Sequence, residues 1–301
     1  MRYENDFEHL KLEEDTALSL GKFDGLHRGH GLLLDALCEK TKEGLKSAVF
    51  TFRFLTEHTN YKVITTSEEK KHLLQERGID YLIECPFTKS IMEMEAARFI
   101  EEAVRRLNIK WMAVGTDFRF GHNRRGDYHM LQDYAEIYGY QLSVFPKMQH
   151  DGKDISSTRI REEIQAGRME LVKELLGMPY FIEGIVNHGS QIGRTIGFPT
   201  INIRPLPEKI LPPFGVYLSE VILDGISYCG ITNIGKKPTV QGIHSVGVET
   251  YIYDFNKNIY GKSVKVNILH FVRPEQKFDS LEQLQKQLSA DILHGKQYFG
   301  M

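Results

Sequence analysis

The chain has 301 residues, 41% apolar and 26% charged, and its 38 basic and 40 acidic side chains leave a net charge of −2. That length suits two domains with real cores, and the lack of a basic excess argues against a general nucleic-acid or membrane-surface binder. No apolar run approaches the ~18 residues of a transmembrane helix. Met1–Asp15 is mixed and acidic, unlike a signal peptide. Cys38, Cys85 and Cys229 are too scattered for a disulfide framework or a zinc site, so a cytoplasmic protein is expected.

Residues 16–180 alternate short apolar runs with helical patterns. Ala17–Leu20 reads as a strand, Gly21–Gly29 as a glycine-rich loop, and His30–Glu43 as a helix with Leu33, Leu34, Leu37 and Cys38 on one face. Ser47–Phe52 is a second strand. Thr66-Ser67-Glu68-Glu69 has the form of a capping box opening a helix that ends near Gly78. Strands at Tyr81–Cys85, Lys110–Val114 and Gln141–Phe145 alternate with helices at Glu93–Leu107 and Asp127–Tyr138, and two short helices follow at Ser157–Gln165 and Met169–Leu176. This alternation predicts a Rossmann-like parallel α/β sheet covered on both faces.

From about Phe181 the rhythm changes. Phe181–Val186, Val216–Leu223, Ile226–Ile231, Val248–Phe255 and Ser263–Val272 read as strands separated by Gly, Pro, Asn and Asp turns. Close spacing of this kind predicts an antiparallel barrel or sandwich, ended by a helix from Ser280 to about His294. The boundary is expected near Gly177-Met178-Pro179, giving domains 1–178 and 179–301.

Gly21-Lys22-Phe23-Asp24-Gly25-Leu26-His27-Arg28-Gly29-His30 follows a predicted strand and opens a predicted helix. A helix N-terminus offers free N–H groups and positive potential to an anion. Gly25 and Gly29 let the backbone turn and approach a phosphate, and His27 and His30 can donate to phosphate oxygens as pyrophosphate leaves in nucleotidyl transfer. Two surface histidines at a helix start are the plain alternative. Gly115-Thr116-Asp117-Phe118-Arg119-Phe120-Gly121 follows another strand, on the edge where open parallel sheets bind ligands, or it is a plain loop. Ile155-Ser156-Ser157-Thr158-Arg159-Ile160-Arg161 puts hydroxyls at a helix start, as caps or as phosphate contacts, with Arg161 a turn on.

These three segments, in this order, resemble the N-terminal half of the bacterial bifunctional riboflavin kinase/FMN adenylyltransferases, the prokaryotic FAD synthetases. Gly193-Arg194-Thr195-Ile196-Gly197-Phe198-Pro199-Thr200-Ile201-Asn202 is similar to the flavokinase signature of that family, and Val248–Phe255 is similar to the block that holds its catalytic glutamate. The resemblance runs from about Leu18 to Ile292. It implies a nucleotidyltransferase domain, then an antiparallel β-barrel riboflavin kinase domain with a C-terminal helix. It implies riboflavin, FMN, FAD and ATP as substrates and products, with Mg²⁺. Glu249 would be the base that takes the riboflavin hydroxyl proton, and Thr200 and Asn202 would be oxygen ligands for Mg²⁺. Gly193, Arg194, Gly197 and Pro199 would shape the nucleotide loop there. In the first half Gly21, Phe23, Asp24, Gly29, Ser156, Ser157, Thr158 and Arg161 would hold ATP, with His27 and His30 as catalytic residues. Asp117, Phe120 and Arg273 would border flavin. The blocks Phe214–Tyr217 and Asn233–Thr239 are also similar to the family, with loop shape and packing as their implied jobs.

Two departures stand out. After Thr51-Phe52 the family continues Asp-Pro-His-Pro, where this chain has Arg53-Phe54-Leu55-Thr56-Glu57-His58, and Tyr251 stands where the family usually has His. The first departure leaves a rival reading, a riboflavin kinase with an impaired adenylyltransferase half. A second rival is a non-catalytic flavin- or nucleotide-binding regulator on the same fold. Small-molecule substrates, with neither nucleic acid nor membrane, are the expected partners.

Overall fold

The computed structural model describes residues 1–53, 61–189, 193, 197–237 and 245–301. They form two compact units, Met1–Ser157 and Thr158–Met301. In chain order the first unit holds β1 (Arg2–Glu4), β2 (Thr16–Leu20), α1 (Arg28–Thr41), β3 (Lys46–Arg53), α2 (Ser67–Glu76), β4 (Tyr81–Pro86), α3 (Lys89–Met92), α4 (Ala96–Leu107) and β5 (Ile109–Gly115). There follow β6 (Arg119–Phe120), β7 (Gly126–Asp127), α5 (Tyr128–Tyr138), β8 (Gln141–Phe145), β9 (Gln149–His150) and β10 (Lys153–Asp154).

Six strands make one sheet in the order β1-β4-β3-β2-β5-β8, every neighbouring pair parallel. Successive residues alternate between two apolar layers. Val49, Leu82, Trp111 and Ala113 pack with Leu33, Leu34, Leu37 and Leu74 of α1 and α2. Phe50, Ile83, Met112 and Val114 pack with Phe99, Ala103, Leu131 and Ala135 of α4 and α5. The order runs outward from β2 through β3 and β4 on one side, and through β5 and β8 on the other. The chain therefore reverses direction between β2 and β5, and a crevice opens beyond their C-terminal ends.

The second unit holds most of α6 (Ser157–Gln165), then α7 (Met169–Leu176), β11 (Tyr180–Ile185), β12 (Thr200–Ile203), β13 (Gly215–Leu223), β14 (Ile226–Lys237), β15 (Ser245–Ile252), β16 (Ser263–Pro274) and α8 (Leu281–Phe299). Its antiparallel sheet has the order β11-β16-β13-β14-β15-β12. The bridge Asn187↔Asn202 joins the chain just after β11 to β12, turning the sheet into a barrel. Packing of α7 on β11 and β16, and of α8 on β14, covers parts of its outer face.

The expected elements are present with shifted ends. Helix α1 starts at Arg28 rather than His30, because His27 is extended and its ring caps the helix. The helix expected over Glu93–Leu107 starts only at Ala96, and a separate short helix, Lys89–Met92, precedes it. Strand β14 runs on to Lys237 rather than stopping at Ile231, since β13 and β15 pair along it. Strand β15 ends at Ile252, before Asp254 turns left-handed at φ 51°. Helix α8 runs on to Phe299, closed by left-handed Gly300. Strand β1 is too short for a period-2 pattern to register.

Gly295 lies inside α8, where glycine costs about 1 kcal/mol relative to alanine. It is there because a Cβ would overlap the Tyr253 hydroxyl, which has no hydrogen-bond partner among the described residues. Gly295→Ala is therefore expected to lower stability by about 1–3 kcal/mol in urea unfolding, despite better helix propensity. Adding Tyr253→Phe, which removes the obstructing oxygen, should recover part of the loss.

Candidate active sites

In the first unit the chain leaves β2 through a loop held open by three left-handed residues, Phe23, Gly25 and Leu26, with φ of 47°, 88° and 45°. The buried Phe23 ring belongs to the α1/α2 core and lies under Gly21, where a Cβ would come within 3.1 Å of it. Phe23 thus shapes the loop rather than lining it. Asp24 accepts from the backbone N–H groups of Ile64 at 2.8 Å and Thr65 at 3.1 Å, and Gly25 N–H donates to Thr65 Oγ1 at 3.0 Å. Thr51 Oγ1 donates to the Lys22 carbonyl at 2.9 Å, and Ser157 Oγ to the Asp24 carbonyl at 2.8 Å. The loop is so fixed from three directions. Of the hydroxyl cluster expected at a nucleotide, Ser157 is engaged in this way, and Thr158 and Arg161 belong to the second unit.

The loop delivers two imidazoles to the α1 N-terminus. His27 Nδ1 accepts from the His30 backbone N–H at 3.3 Å. The two rings stack at 3.7 Å between centroids and 19° between planes, with Phe23 against His30 at 5.0 Å. A Cβ on Gly29 would come within 3.2 Å of the His27 ring. Burial drives the His27 imidazole down from 6.5 to about 4, against the pull of Asp117. Burial, the His27 ring and the Lys70 ammonium push His30 well below its ordinary value. Both rings are therefore neutral at pH 7, and His30 Nδ1 is buried with no partner among the described residues.

Beyond β5, Asp117 is mostly exposed and lies 3.4 Å from Lys147, which also meets Asp154 at 3.2 Å. Phe120 is buried in the α4/α5 core, beside Phe99 and against Gly126, where a Cβ would come within 2.7 Å of its ring. Half-buried Phe118 stacks on it at 5.4 Å. The ring nearer the surface is thus Phe118, which the motif contains but the sequence reading did not single out. Lys147 was likewise missed, because nothing near it in sequence marks it.

In the second unit the barrel register gathers residues far apart in sequence. Arg273 pairs with Val216, Val216 with Asn233, Asn233 with Glu249, and Glu249 with Asn202. Residues directly opposite in antiparallel strands share a face, so one row across five strands carries Arg273, Asn233, Glu249 and Asn202. The next row on that face is Leu218, Ile231, Tyr251 and Thr200. On the other side Gly235 stands opposite Gly247, and the Glu275 carboxylate fills the space where a Gly235 side chain would be. Glu249 is half-buried. The Asn202 side chain fits against Gly189, where no Cβ could be accommodated. Arg273 is committed elsewhere: its Nε lies 3.0 Å from Asp291 Oδ1 and its Nη2 2.6 Å from Oδ2, tying β16 to α8. Asn233, assigned above to loop shape and packing, is instead a strand residue beside Glu249. Gly193 receives the Phe198 N–H at its carbonyl, 2.7 Å away, and Gly197 is left-handed at φ 87° before Pro199. Arg194 and the segment Phe54–His58 lie outside the described residues, as do Pro238 and Thr239.

Comparison with known proteins gives a consistent picture. A family model described as FAD synthetase matches residues 9–159, and one described as Riboflavin kinase matches residues 176–299. A bifunctional riboflavin kinase/FMN adenylyltransferase of Escherichia coli (strain K12) is 37% identical over 298 residues, covering 96% of this chain and 94% of that protein. The protein of the same name from Bacillus subtilis (strain 168) is 33% identical, covering 97% and 95%. A crystal structure from Streptococcus pneumoniae, named as a macrolide-efflux protein, superposes with a TM-score of 0.85 at 30% identity and 98% coverage of both chains. Among the described residues of this chain, no helix is long and apolar enough to cross a membrane.

The buried His27 gives a pH signature. Its folded value of about 4 lies below the ordinary 6.5, so the unfolded chain takes up the proton first. Its contribution to stability is complete above about 6.5, falls as pH drops through that window, and is gone below about 4. Urea midpoints measured from pH 7 to pH 4 are expected to fall less steeply in His27→Asn than in the parent chain.

Proposed function

The chain belongs to the bifunctional riboflavin kinase/FMN adenylyltransferase family, and we propose how its two halves divide that work. The protein makes flavin cofactors: riboflavin is phosphorylated to FMN, and FMN is adenylylated to FAD. The first reaction belongs to residues 179–301 and the second to residues 1–178. The row that brings Glu249 beside Asn202, with Thr200 in the next row, is the observation that carries the kinase assignment.

In the kinase half, Glu249 accepts the proton of the riboflavin primary hydroxyl as that oxygen attacks the γ-phosphorus of ATP. Its half-buried place in a strand fixes its direction. Thr200 and Asn202 offer a hydroxyl and a carboxamide oxygen on the same face as that carboxylate. This hard-oxygen set fits Mg²⁺, which takes few protein ligands and completes its shell with phosphate and water. Mg²⁺ bound there would neutralise phosphate charge. Gly193, Arg194, Gly197 and Pro199 receive ATP, and Arg273 borders riboflavin from β16, where Asp291 of α8 anchors it.

In the adenylyltransferase half, an FMN phosphate oxygen attacks the α-phosphorus of ATP and pyrophosphate leaves. The α1 N-terminus supplies unpaired N–H groups and positive potential to those phosphates. His27 and His30 face them as neutral imidazoles, each with one N–H to donate. Gly21, Phe23, Asp24 and Gly29 hold the loop shape that admits ATP, with Ser157 bracing that loop through the Asp24 carbonyl and Ser156 adding a donor. Asp117 and Phe118 border FMN, with the buried Phe120 packed behind Phe118. A cytoplasmic location suits these substrates.

Two substitutions separate the halves. With MgATP and riboflavin, Glu249→Ala should abolish FMN formation yet convert supplied FMN to FAD, and His30→Ala should do the reverse, as read by chromatographic separation of the flavins. FMN accumulating without FAD in the parent chain, even with FMN supplied, would sink the bifunctional assignment.

A further inference from the structure

One ammonium at the crevice beyond β2 and β5 has no part in the chemistry above. Lys147 lies just past β8, 3.4 Å from Asp117 Oδ2 and 3.2 Å from Asp154 Oδ2. Register brings this cluster beside the glycine-rich loop. Ser19 of β2 pairs with Ala113 of β5, and Gly115 of β5 pairs with Phe145 of β8. The chain therefore leaves all three parallel strands on the same edge of the sheet. The Thr116 N–H donates to the Phe145 carbonyl at 2.9 Å, which closes the β5 exit onto the β8 exit. The Asp117 carboxylate folds back over the end of β5, where a Cβ on Gly115 would come within 3.0 Å of Oδ1.

The third side is the β9–β10 hairpin. Asp151 and Gly152 turn it with φ of 50° and 68°, the two left-handed positions of a tight hairpin turn. Gln149 pairs with Asp154, and its Nε2 donates to Asp154 Oδ1 at 3.0 Å. The Ile155 N–H donates to the Met148 carbonyl at 2.8 Å. Beyond Asp154, Ser157 Oγ holds the Asp24 carbonyl of the glycine-rich loop. The hairpin thus runs from Lys147 to the loop that carries His27 and His30. Its own backbone bonds close it, and exposed ion pairs add little to such a closure.

The reaction gives the ammonium a use. A phosphate monoester carries a charge of about −1.5 to −2 at pH 7, and FMN must bring it up to an anionic nucleotide. Both imidazoles are neutral there, and the field of a helix end fades within its first turn. A full positive charge is needed on the side from which FMN comes, the side of Asp117 and Phe118. Asp154 above all, with Asp117, holds the Lys147 ammonium above its ordinary value against the opposing effect of burial, so it is charged at neutral pH.

We propose that Lys147 binds the FMN phosphate in the adenylyltransferase site, donating to the phosphate oxygens that do not attack and so selecting FMN over riboflavin. Without FMN, Asp117 and Asp154 keep the ammonium at the crevice; with FMN bound they compete with the phosphate for it. All three side chains are more than a third exposed, so the exchange takes place in contact with water, where ion pairs are weak. Lysine suits the task as a compact point charge with three donors on a flexible stem. It gives up no proton and stays an ammonium throughout. The assignment rests on the adenylyltransferase reading above.

Steady-state FMN-to-FAD conversion by the full chain tests it. Lys147→Met should raise the KM for FMN about 10-fold, the worth of one hydrogen bond between charged groups, with the KM for ATP little changed. Lys147→Arg should restore most of the loss. Asp154→Asn removes a competitor for the ammonium and should lower the KM for FMN. Opposite movements in Lys147→Met and Asp154→Asn support the contact, because loss of a merely structural tie would move both the same way. Movement in the same direction, no change in Lys147→Met, or an equal rise in both KM values overturns it. A second measurement needs no turnover. In the full chain labelled with ¹³C at lysine Cε, without ATP, the Lys147 signal is identified by its absence in Lys147→Met. FMN should shift that signal and riboflavin should not; the same response to both flavins, or to neither, overturns the proposal. A parent chain that makes no FAD while its Lys147 signal answers FMN alone would defeat the adenylyltransferase reading and leave the phosphate contact standing.

Discussion

A strand sends successive side chains to opposite faces, so register fixes which residues meet before any rotamer is chosen. Both sites depend on that constraint. In the parallel sheet it stacks Glu84 and Thr51 directly above the Leu82–Val49 core row, toward the C-terminal ends of β4 and β3. In the barrel it carries Arg273, Asn233, Glu249 and Asn202 onto one face, although they are spread over some seventy positions of chain. A one-residue slip of β15 would send Glu249 into the barrel interior. There the hydroxyls of Ser219, Thr232 and Thr250 already satisfy one another at 2.7 and 2.8 Å.

On the proposed division of labour, the two units would meet phosphate with different physics. The parallel unit uses a helix end and neutral donors, and its imidazoles are driven to neutrality by burial. The field of the helix is then a standing positive element. The barrel row offers a carboxylate and neutral oxygen donors, a set that would take phosphate through a cation. The same residue types could not be exchanged between the units: a helix N-terminus beside Glu249 would depress its basicity, and a carboxylate at the α1 start would compete with the nucleotide for the helix N–H groups.

Much of this was legible in the sequence. Thr66 and Glu69 announced their capping box and form it, and the change from helix–strand alternation to closely spaced strands marks the change of architecture. The glycine-rich loop was legible because left-handed backbone and helix entry leave local signals. What local signals cannot carry is pairing across the sheet. Asn233 sits in a stretch of turn-like residues, Asn-Ile-Gly-Lys-Lys-Pro, and reads as a loop until β13 and β15 pair with it on both sides. Lys70 and Glu84 carry no local signal either, since nothing fourteen residues apart in sequence says that they meet in the interior. Arg273 was placed at the flavin by resemblance, and its bidentate hold on Asp291 could be seen only once α8 lay across the barrel.

The departure at Arg53 gains a physical meaning from this layout. Arg53 is the last residue of β3, opposite Pro86, and its backbone carbonyl accepts from Phe87. Its charge reaches Glu84, which is ion-paired with Lys70 at 2.8 Å, both side chains being buried. Where the family usually continues into Asp-Pro-His-Pro, β3 of this chain therefore ends in a cation beside a buried ion pair. The neutrality of the imidazoles does not depend on it, because burial is what holds both rings uncharged.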